Sequence, residues 1–373
     1  MKNIAVIFGG KSVEHDISII TALQVMESLP KSYNLIPIYI KSDGKFVSGA
    51  NLTDKNIYLN FDKCVKGEKE VLFFGGRQTI AFLKNGKIKE KTFVHCALLC
   101  NHGHGGEDGS LQGLLELCEI PYSSCSIVSS GICMDKAFTK IILESGDIHT
   151  PAYVHFDIRE YAQNFEKIKN QIVEKIQFPC IVKPARLGSS VGIDICEDVA
   201  ELEKKIENAL QFDDKVLVEK FVENAREFCC AVLSSGDELF ESKVSEVTKG
   251  KIFTFEEKYI ENNTLSKREI SKDLENRIKK LAKRAYSLLE CKGVVRVDFL
   301  YDEKDDNLFV NEVNTIPGSL AFHLFDTSFA DILNTLIVES INANEKKKKI
   351  LYQFNSSAIE SYISSVNNLK RKI

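Results

Sequence analysis

The chain has no long hydrophobic run, no basic excess and no paired-cysteine motif, and each absence removes a class of function. No apolar segment among its 373 residues approaches the roughly 20 residues that a membrane-spanning helix needs. Met1 leads through Lys2 and Asn3 straight into a five-residue apolar run without a signal-peptide core, so a cytoplasmic protein with no membrane partner is expected. Lys and Arg number 49 against 53 Asp and Glu, a formal net charge of −4. Without a basic surplus to hold a phosphate backbone, nucleic acid is not an expected partner. Eleven cysteines occur without one CxxC pair, and their odd number in a long chain predicts reduced, buried thiols. Gly9-Gly10 lacks the further glycines of a dinucleotide fingerprint, so it does not imply NAD.

What remains is an ordinary globular composition, 44% hydrophobic and 27% charged, in a chain long enough for two or three domains. The most informative stretch runs from Gly293 to Leu324. Alternation over Val295 to Leu300 places Val295, Val297 and Phe299 on one face of a strand and Arg296 and Asp298 on the other. A polar turn, Asp302 to Asn307, leads into a second strand, Leu308 to Asn314, where Glu312 and Asn314 share a face. Asp298, Glu312 and Asn314 thus offer three hard oxygen ligands beside an arginine, a set suited to Mg²⁺ bridging phosphates.

Earlier stretches bring complementary groups. Ile4 to Phe8, Gly9-Gly10 and the periodic segment Ile17 to Leu29 read as strand, glycine turn and helix. Glu14 lies in that turn, where it either meets a ligand ammonium or only complements the helix dipole. A second strand, Leu35 to Ile40, precedes a polar, hairpin-like region from about Lys41 to Thr92. The strand Phe93 to Leu99 runs into the glycine-rich loop NHGHGGEDGSLQGLLE, with a helix beginning near Ser110. Such a loop at the carboxyl end of a strand marks the ligand edge of a parallel sheet, and His102 reads as a hydrogen-bonding or charge-stabilising group there. Pro121 to Ser124 reads as a linker. Met134 to Gly146 reads as a helix with Lys136 in its first turn, where a cation is disfavoured by the dipole unless an anion binds nearby. Lys183 lies on a strand before the Gly/Ser loop Gly188 to Gly192, a composition suited to covering phosphate oxygens.

The strand Val216 to Val222 carries Glu219 and Lys220 at its end, with Glu227 shortly after. A backbone segment at such a place can read an adenine edge, and a carboxylate can hold ribose hydroxyls, a signal that is weak by itself. Ser242 to Thr264 reads as a long loop, of a length usual for lids, binding loops or disordered segments, and Lys258 and Tyr259 are the residues a lid would carry inward. An amphipathic helix, about Lys272 to Glu290, precedes the hairpin. The tail after Asn342 has four successive lysines, Lys346 to Lys349, read as solvated charge, and a helix-like end from Ser356 to Ile373.

Together the motifs GGKSVEHDIS, HGHGGEDGSLQGLLE, MDK, VKPARLGSSVG, EKY, RVDF and NEVNTIPG, in this order, resemble the ATP-grasp superfamily and, within it, the D-alanine–D-alanine ligases. The resemblance spans Lys2 to about Ile341. It implies an α/β chain in three domains: a Rossmann-like substrate-binding domain over 1–124, a central ATP-grasp domain over 125–219 and a C-terminal one over 220–345, with the lid at 242–264 and a tail at 346–373. It implies ATP and Mg²⁺, two ions with Mn²⁺ as a substitute, and D-alanine as substrate in peptidoglycan synthesis. The family commonly forms homodimers. Lys136, Lys183, Glu219, Lys220, Glu227 and Lys258 would hold the nucleotide, and Asp298, Glu312 and Asn314 the metal. Glu14 would hold the first substrate's ammonium and, with Ser189 and Tyr259, help close the site. His102 and Arg296 would lie beside the reacting carboxylate, and the Gly318 N–H would help complete an oxyanion site. One departure stands out. Where the family usually presents a serine to the second substrate, this chain has His323, which leaves D-serine or another amino acid open as acceptor beside D-alanine. A nucleotide-binding protein without catalysis is the reading from another class.

Overall fold

A computed structural model describes residues 1–60, 67–247, 269–351 and 356–370 of the chain. Its first layer is built around β1 (Lys2–Gly9), which pairs in parallel with β2 (Tyr33–Ile40) on one side and β7 (Cys96–Leu99) on the other. A strand with parallel neighbours on both edges is covered on both faces, which is why Ile4 to Phe8 is continuously apolar. The polar region after β2 continues the same sheet as an antiparallel meander: β3 (Phe46–Ser48), β4 (Lys69–Phe74), β5 (Thr79–Lys84) and β6 (Lys87–Phe93). The order is β6-β5-β4-β3-β2-β1-β7. The outer strand β6 reads KIKEKTF, and such charge blunts an open edge. Helices α1 (His15–Ser28) and α2 (Ser110–Leu117) follow β1 and β7, so the Gly9-Gly10 turn and the glycine-rich loop leave the same edge of the sheet.

Helices α3 (Ile127–Met134) and α4 (Lys136–Ser145) come next, separated by Asp135, whose carboxylate accepts from the N–H groups of Ala137 and Phe138 and so starts α4. The second sheet is antiparallel, in the order β10-β9-β11-β8. It comprises β8 (Tyr153–Asp157), β9 (Cys180–Pro184), β10 (Asp194–Cys196) and β11 (Lys215–Lys220). α5 (Ile158–Lys175), opened by a capping box of Asp157 and Glu160, and α6 (Leu202–Leu210) cover it. The third sheet comprises β12 (Arg226–Ser235), β13 (Glu238–Glu241), β14 (Ser245–Val247), β15 (Val294–Asp302) and β16 (Asn307–Asn314). α7 (Lys272–Leu288) packs on it, and α8 (Phe329–Lys347) and α9 (Ala358–Lys370) complete the described chain.

Apolar side chains gather into three clusters. One joins the seven-stranded sheet to Ala231, Leu233, Val294 and α8; a second lies between the other face of the third sheet and α7; a third is confined to the four-stranded sheet and its helices. Val295, Val297 and Phe299 point into the second, as the alternation predicts.

Three local readings are corrected. The strands reach Asp302 and Asn307, so only Glu303 to Asp306 form the turn. Pro121 to Ser124 is packed rather than a free linker: Tyr122 bridges Ala97, and Ser123 Oγ accepts from the Leu99 N–H. Ser245–Val247 is a strand within the expected loop, while Lys258 and Tyr259 lie outside the described residues.

Candidate active site

A cleft of about 880 Å³ opens between the second and third sheets and the loops of the first. Its floor is the β15–β16 hairpin. Asp298 pairs with Glu312 across the strands and Arg296 with Asn314. Strict alternation from Leu308 would put Glu312 and Asn314 on the face of the buried Leu308 and Val310. The register instead shifts after Asp298, so that Phe299 pairs with Val310 and Asn311 becomes the extra residue of a bulge. Val313 then takes the buried face, and Glu312 and Asn314 turn to the cleft.

Arg296 clamps Asp298 with both arms, Nε to Oδ1 at 2.7 Å and a terminal nitrogen to Oδ2 at 2.8 Å. Burial acts to lower the Arg296 pKa, but Asp298 outweighs it and holds the guanidinium charged. Asn314 Nδ2 also donates to Asp298 Oδ2, at 3.0 Å. Oδ1 accepts a single bond in this network and keeps a lone pair, so the trio Asp298, Glu312 and Asn314 fits a hard divalent cation by donor chemistry. His95 and His104 are engaged away from this trio: His95 Nδ1 accepts from the Asn3 N–H, and His104 lies 3.1 Å from Asp108.

The cations gather on the opposite side. Lys136 Nζ donates to the Leu187 carbonyl at 2.7 Å and lies 3.6 Å from Glu312 Oε2, linking the Gly/Ser loop to β16. Lys183, on β9, pairs with Glu219 at the end of β11. A third cation, Lys140, approaches the other Glu219 oxygen to 2.7 Å without hydrogen-bond alignment. Lys140 and Glu219 are 1% and 2% exposed, so each charge depends on the other. Burial would raise the Glu219 carboxyl, but Lys140 and Lys183 together hold it below its ordinary pKa; burial pulls Lys140 down. Glu219, Lys220 and Glu227 line the same cleft.

Glu14 is tied to another sheet rather than to its own helix. It occupies the N-cap position of α1 but makes no side-chain cap bond, and accepts instead from Ser189 Oγ of the Gly/Ser loop at 2.5 Å. Two glycines make room for it. A Cβ on Gly103 would stand 2.7 Å from Glu14 Oε2, and one on Gly188 would stand 2.7 and 2.8 Å from its two oxygens.

His102 is buried, and its Nε2 lies 2.9 Å from Thr21 Oγ1. Burial first, with the Arg296 charge adding, lowers its pKa to about 4, although a backbone bond to Ile316 opposes the shift. It reaches the site through Thr21 and the backbone and does not line the cleft. Gly318 begins a 3-10 run, Gly318–Leu324, in which Ser319, Leu320 and Ala321 all have left-handed φ, 54°, 48° and 51°. Each such L residue costs about 1–2 kcal/mol, so tertiary contacts must hold the turn. His323 at its end lines the cleft and is not a core residue; burial and Arg296 keep its pKa below the usual value.

Sequence reasoning passed over Thr21, Glu107 and Lys140. Glu107 lines the cleft and accepts from the Gly103 and Ile316 N–H groups, both at 2.9 Å. Burial, with Glu14 and Glu312 nearby, pushes its carboxyl up to about 8. The available signal for Lys140 was its spacing of four from Lys136, which puts both lysines on one face of the helix.

The described D-ala D-ala ligase N-terminus matches residues 3–125 and the D-ala D-ala ligase C-terminus residues 142–334. The D-alanine–D-alanine ligase of Thermosipho melanesiensis is 41% identical over 359 residues, covering 93% of this chain and 96% of that protein. That of Thermosipho africanus is 39% identical over 370 residues, covering 96% and 99%. Among solved structures, the D-alanine–D-alanine ligase from Coxiella burnetii superposes with a TM-score of 0.79 at 25% identity, over 98% of this chain and 99% of that one. The VanG D-Ala:D-Ser ligase from Enterococcus faecalis gives 0.79 at 31% identity, over 91% and 99%.

Proposed function

The chain belongs to the D-alanine–D-alanine ligase family, and from that premise we propose that its cleft joins two D-alanines, with ATP converted to ADP and phosphate, to make D-alanyl-D-alanine for peptidoglycan. The observation that carries the reading is the meeting of Glu14, Lys136, Lys183, Arg296 and the Asp298–Glu312–Asn314 trio around one cleft. An ammonium site, a phosphate site and a metal-ligand set are what activation of an amino-acid carboxylate requires.

A carboxylate is a poor electrophile at neutral pH. One D-alanine carboxylate oxygen attacks the γ-phosphorus, ADP leaves, and an acylphosphate forms. The second D-alanine's amine then attacks the acyl carbon, loses its proton, and phosphate leaves. Lys136 and Lys183 hold the phosphates, Glu219 and the Lys220 backbone face the adenine, and Glu227 holds the ribose. Mg²⁺ at Asp298, Glu312 and Asn314, as one or two ions replaceable by Mn²⁺, neutralises phosphate charge when bound. Glu14 holds the first ammonium, and its bond to Ser189 ties the Gly/Ser loop down over the site. Arg296 and the Gly318 N–H offset charge on the acyl oxygen. Lys258 and Tyr259 complete the cover that keeps water from the acylphosphate. The domains follow the boundaries implied by the motifs, and the protein works in the cytoplasm as a homodimer.

D-Serine is the second reading for the acceptor, favoured by His323 in the cleft and by the likeness to a D-Ala:D-Ser ligase. The test is phosphate release from ATP and Mg²⁺ with D-alanine, D-serine or D-lactate, with products identified by mass. Dipeptide from D-alanine alone supports the proposal; release only with a mixed pair moves the acceptor; no release with any amino acid refutes ligation.

A further inference from the structure

The segment after β16 carries His323 to the cleft, and two hydrogen bonds hang it from the first layer. The Ile316 N–H donates to Glu107 Oε1 at 2.9 Å. The Ser319 N–H donates to Thr21 Oγ1 at 3.0 Å. Thr21 is wholly buried on α1, and its hydroxyl lies 2.9 Å from His102 Nε2. One hydroxyl therefore stands between a backbone N–H of the turn and a ring nitrogen of His102.

The Thr21 oxygen accepts from the Ser319 N–H. With Nε2 unprotonated, the hydroxyl proton goes to His102; with Nε2 protonated, the oxygen accepts from both neighbours through its two lone pairs, and either way the hydroxyl couples the turn to the ring.

We propose that Thr21 is a positioning residue for the second substrate: its hydroxyl, backed by His102, holds the left-handed turn Gly318–Ala321 and so sets where His323 stands in the cleft. The identity of that substrate rests on the ligase reading above. Ser319, Leu320 and Ala321 do not hold three successive left-handed conformations by local preference, and the Ser319 bond to Thr21 fixes the first of them. Thr21 does not line the cleft, whereas the nucleotide-side groups Lys183, Glu219 and Glu227 do. Its loss acts on the acceptor and spares ATP.

The experiment compares Thr21→Val, Thr21→Ala and Thr21→Ser with the unaltered protein. Rates are measured against ATP and against D-alanine, whose two occupancies give separate donor and acceptor KM values. Thr21→Val is expected to raise the acceptor KM about tenfold, the scale of one lost hydrogen bond, with donor and ATP KM little changed and Thr21→Ser restoring the original value. Should Val fail to fold, Thr21→Ala removes the hydroxyl without adding bulk and gives the same reading. An unchanged acceptor KM in the Val or Ala variant, an equal rise in all three KM values, or failure of Ser to rescue overturns the proposal. If the unaltered protein makes no dipeptide from D-alanine, the functional reading fails by itself, and the comparison is made with whichever acceptor is used.

Discussion

Ser189 and Glu14 lie 175 positions apart and meet in a hydrogen bond from the Ser189 hydroxyl to a Glu14 carboxylate oxygen. The loop of the second sheet is thereby fastened to the first helix of the chain. Replacing Ser189 with Ala removes a bond to a charged acceptor, about 1.5–3 kcal/mol. Steady-state kinetics should show kcat/KM for D-alanine lower by about 10- to 100-fold, with the melting temperature lower by a few degrees. Full activity in Ser189→Ala would show that the loop is held by other means.

Gly188 tests the same junction by steric means. A Cβ there meets both Glu14 oxygens well inside contact distance. Gly188→Ala should push Glu14 from its place and raise the KM of the first D-alanine at least as far as Ser189→Ala does. The same KM in Gly188→Ala as in the parent would show that the carboxylate has room to yield.

Glu312→Gln keeps the shape of the side chain and removes a charge opposite Asp298. An amide is the weaker ligand for a hard cation. Activity titrated with Mg²⁺ should be reduced about tenfold or more and half-saturate at higher metal, the scale of a weakened metal site. An unchanged titration would remove Glu312 from the metal set.

Lys140, Lys183 and Glu219 form a buried charge group. Lys140→Met deletes one partner and leaves Glu219 with Lys183 alone, in a place where an uncompensated charge costs about 3–5 kcal/mol. The denaturation midpoint should fall, and the KM for ATP should rise because Lys183 is then drawn more strongly to Glu219. A variant as stable as the parent would show that water reaches this carboxylate.

His102 gives a pH dependence with a definite sign. Its folded pKa, about 4, lies below the ordinary 6.5, so the unfolded chain binds the proton more readily. The stability it contributes is present above pH 6.5 and is lost as pH falls toward 4. Melting temperatures measured from pH 7 to pH 4 should fall more steeply for the parent than for His102→Asn. Parallel curves would show that His102 is not the group responsible.

The hairpin was legible because alternation reports which face of a strand is apolar, and Val295, Val297 and Phe299 leave Arg296 and Asp298 only one place to go. The bulge at Asn311 was not legible, since a single extra residue reverses the faces without altering composition. Glu14 was recognisable as a turn carboxylate, but its partner could not be read from the turn: Ser189 is supplied by another sheet. Thr21 on a largely apolar helix reads like any small polar residue, and only the fold shows Ser319 and His102 converging on it. Lys140 was missed for a related reason, because the expectation that lysine seeks water fails where a buried carboxylate waits.

The division of the apolar side chains into three clusters bears on how the molecule comes apart. The first cluster is shared by the seven-stranded and five-stranded sheets, so neither can melt and leave the other intact. The third is closed within the four-stranded sheet and its two helices, which meet the rest of the cleft through polar contacts such as Lys136 to Leu187. That unit has the makings of a separate cooperative block, able to open and reclose while the remainder stays native. Its amides should exchange with deuterium as a group ahead of those in β1 and β15, and a nucleotide bound in the cleft that both blocks line should merge the two transitions into one.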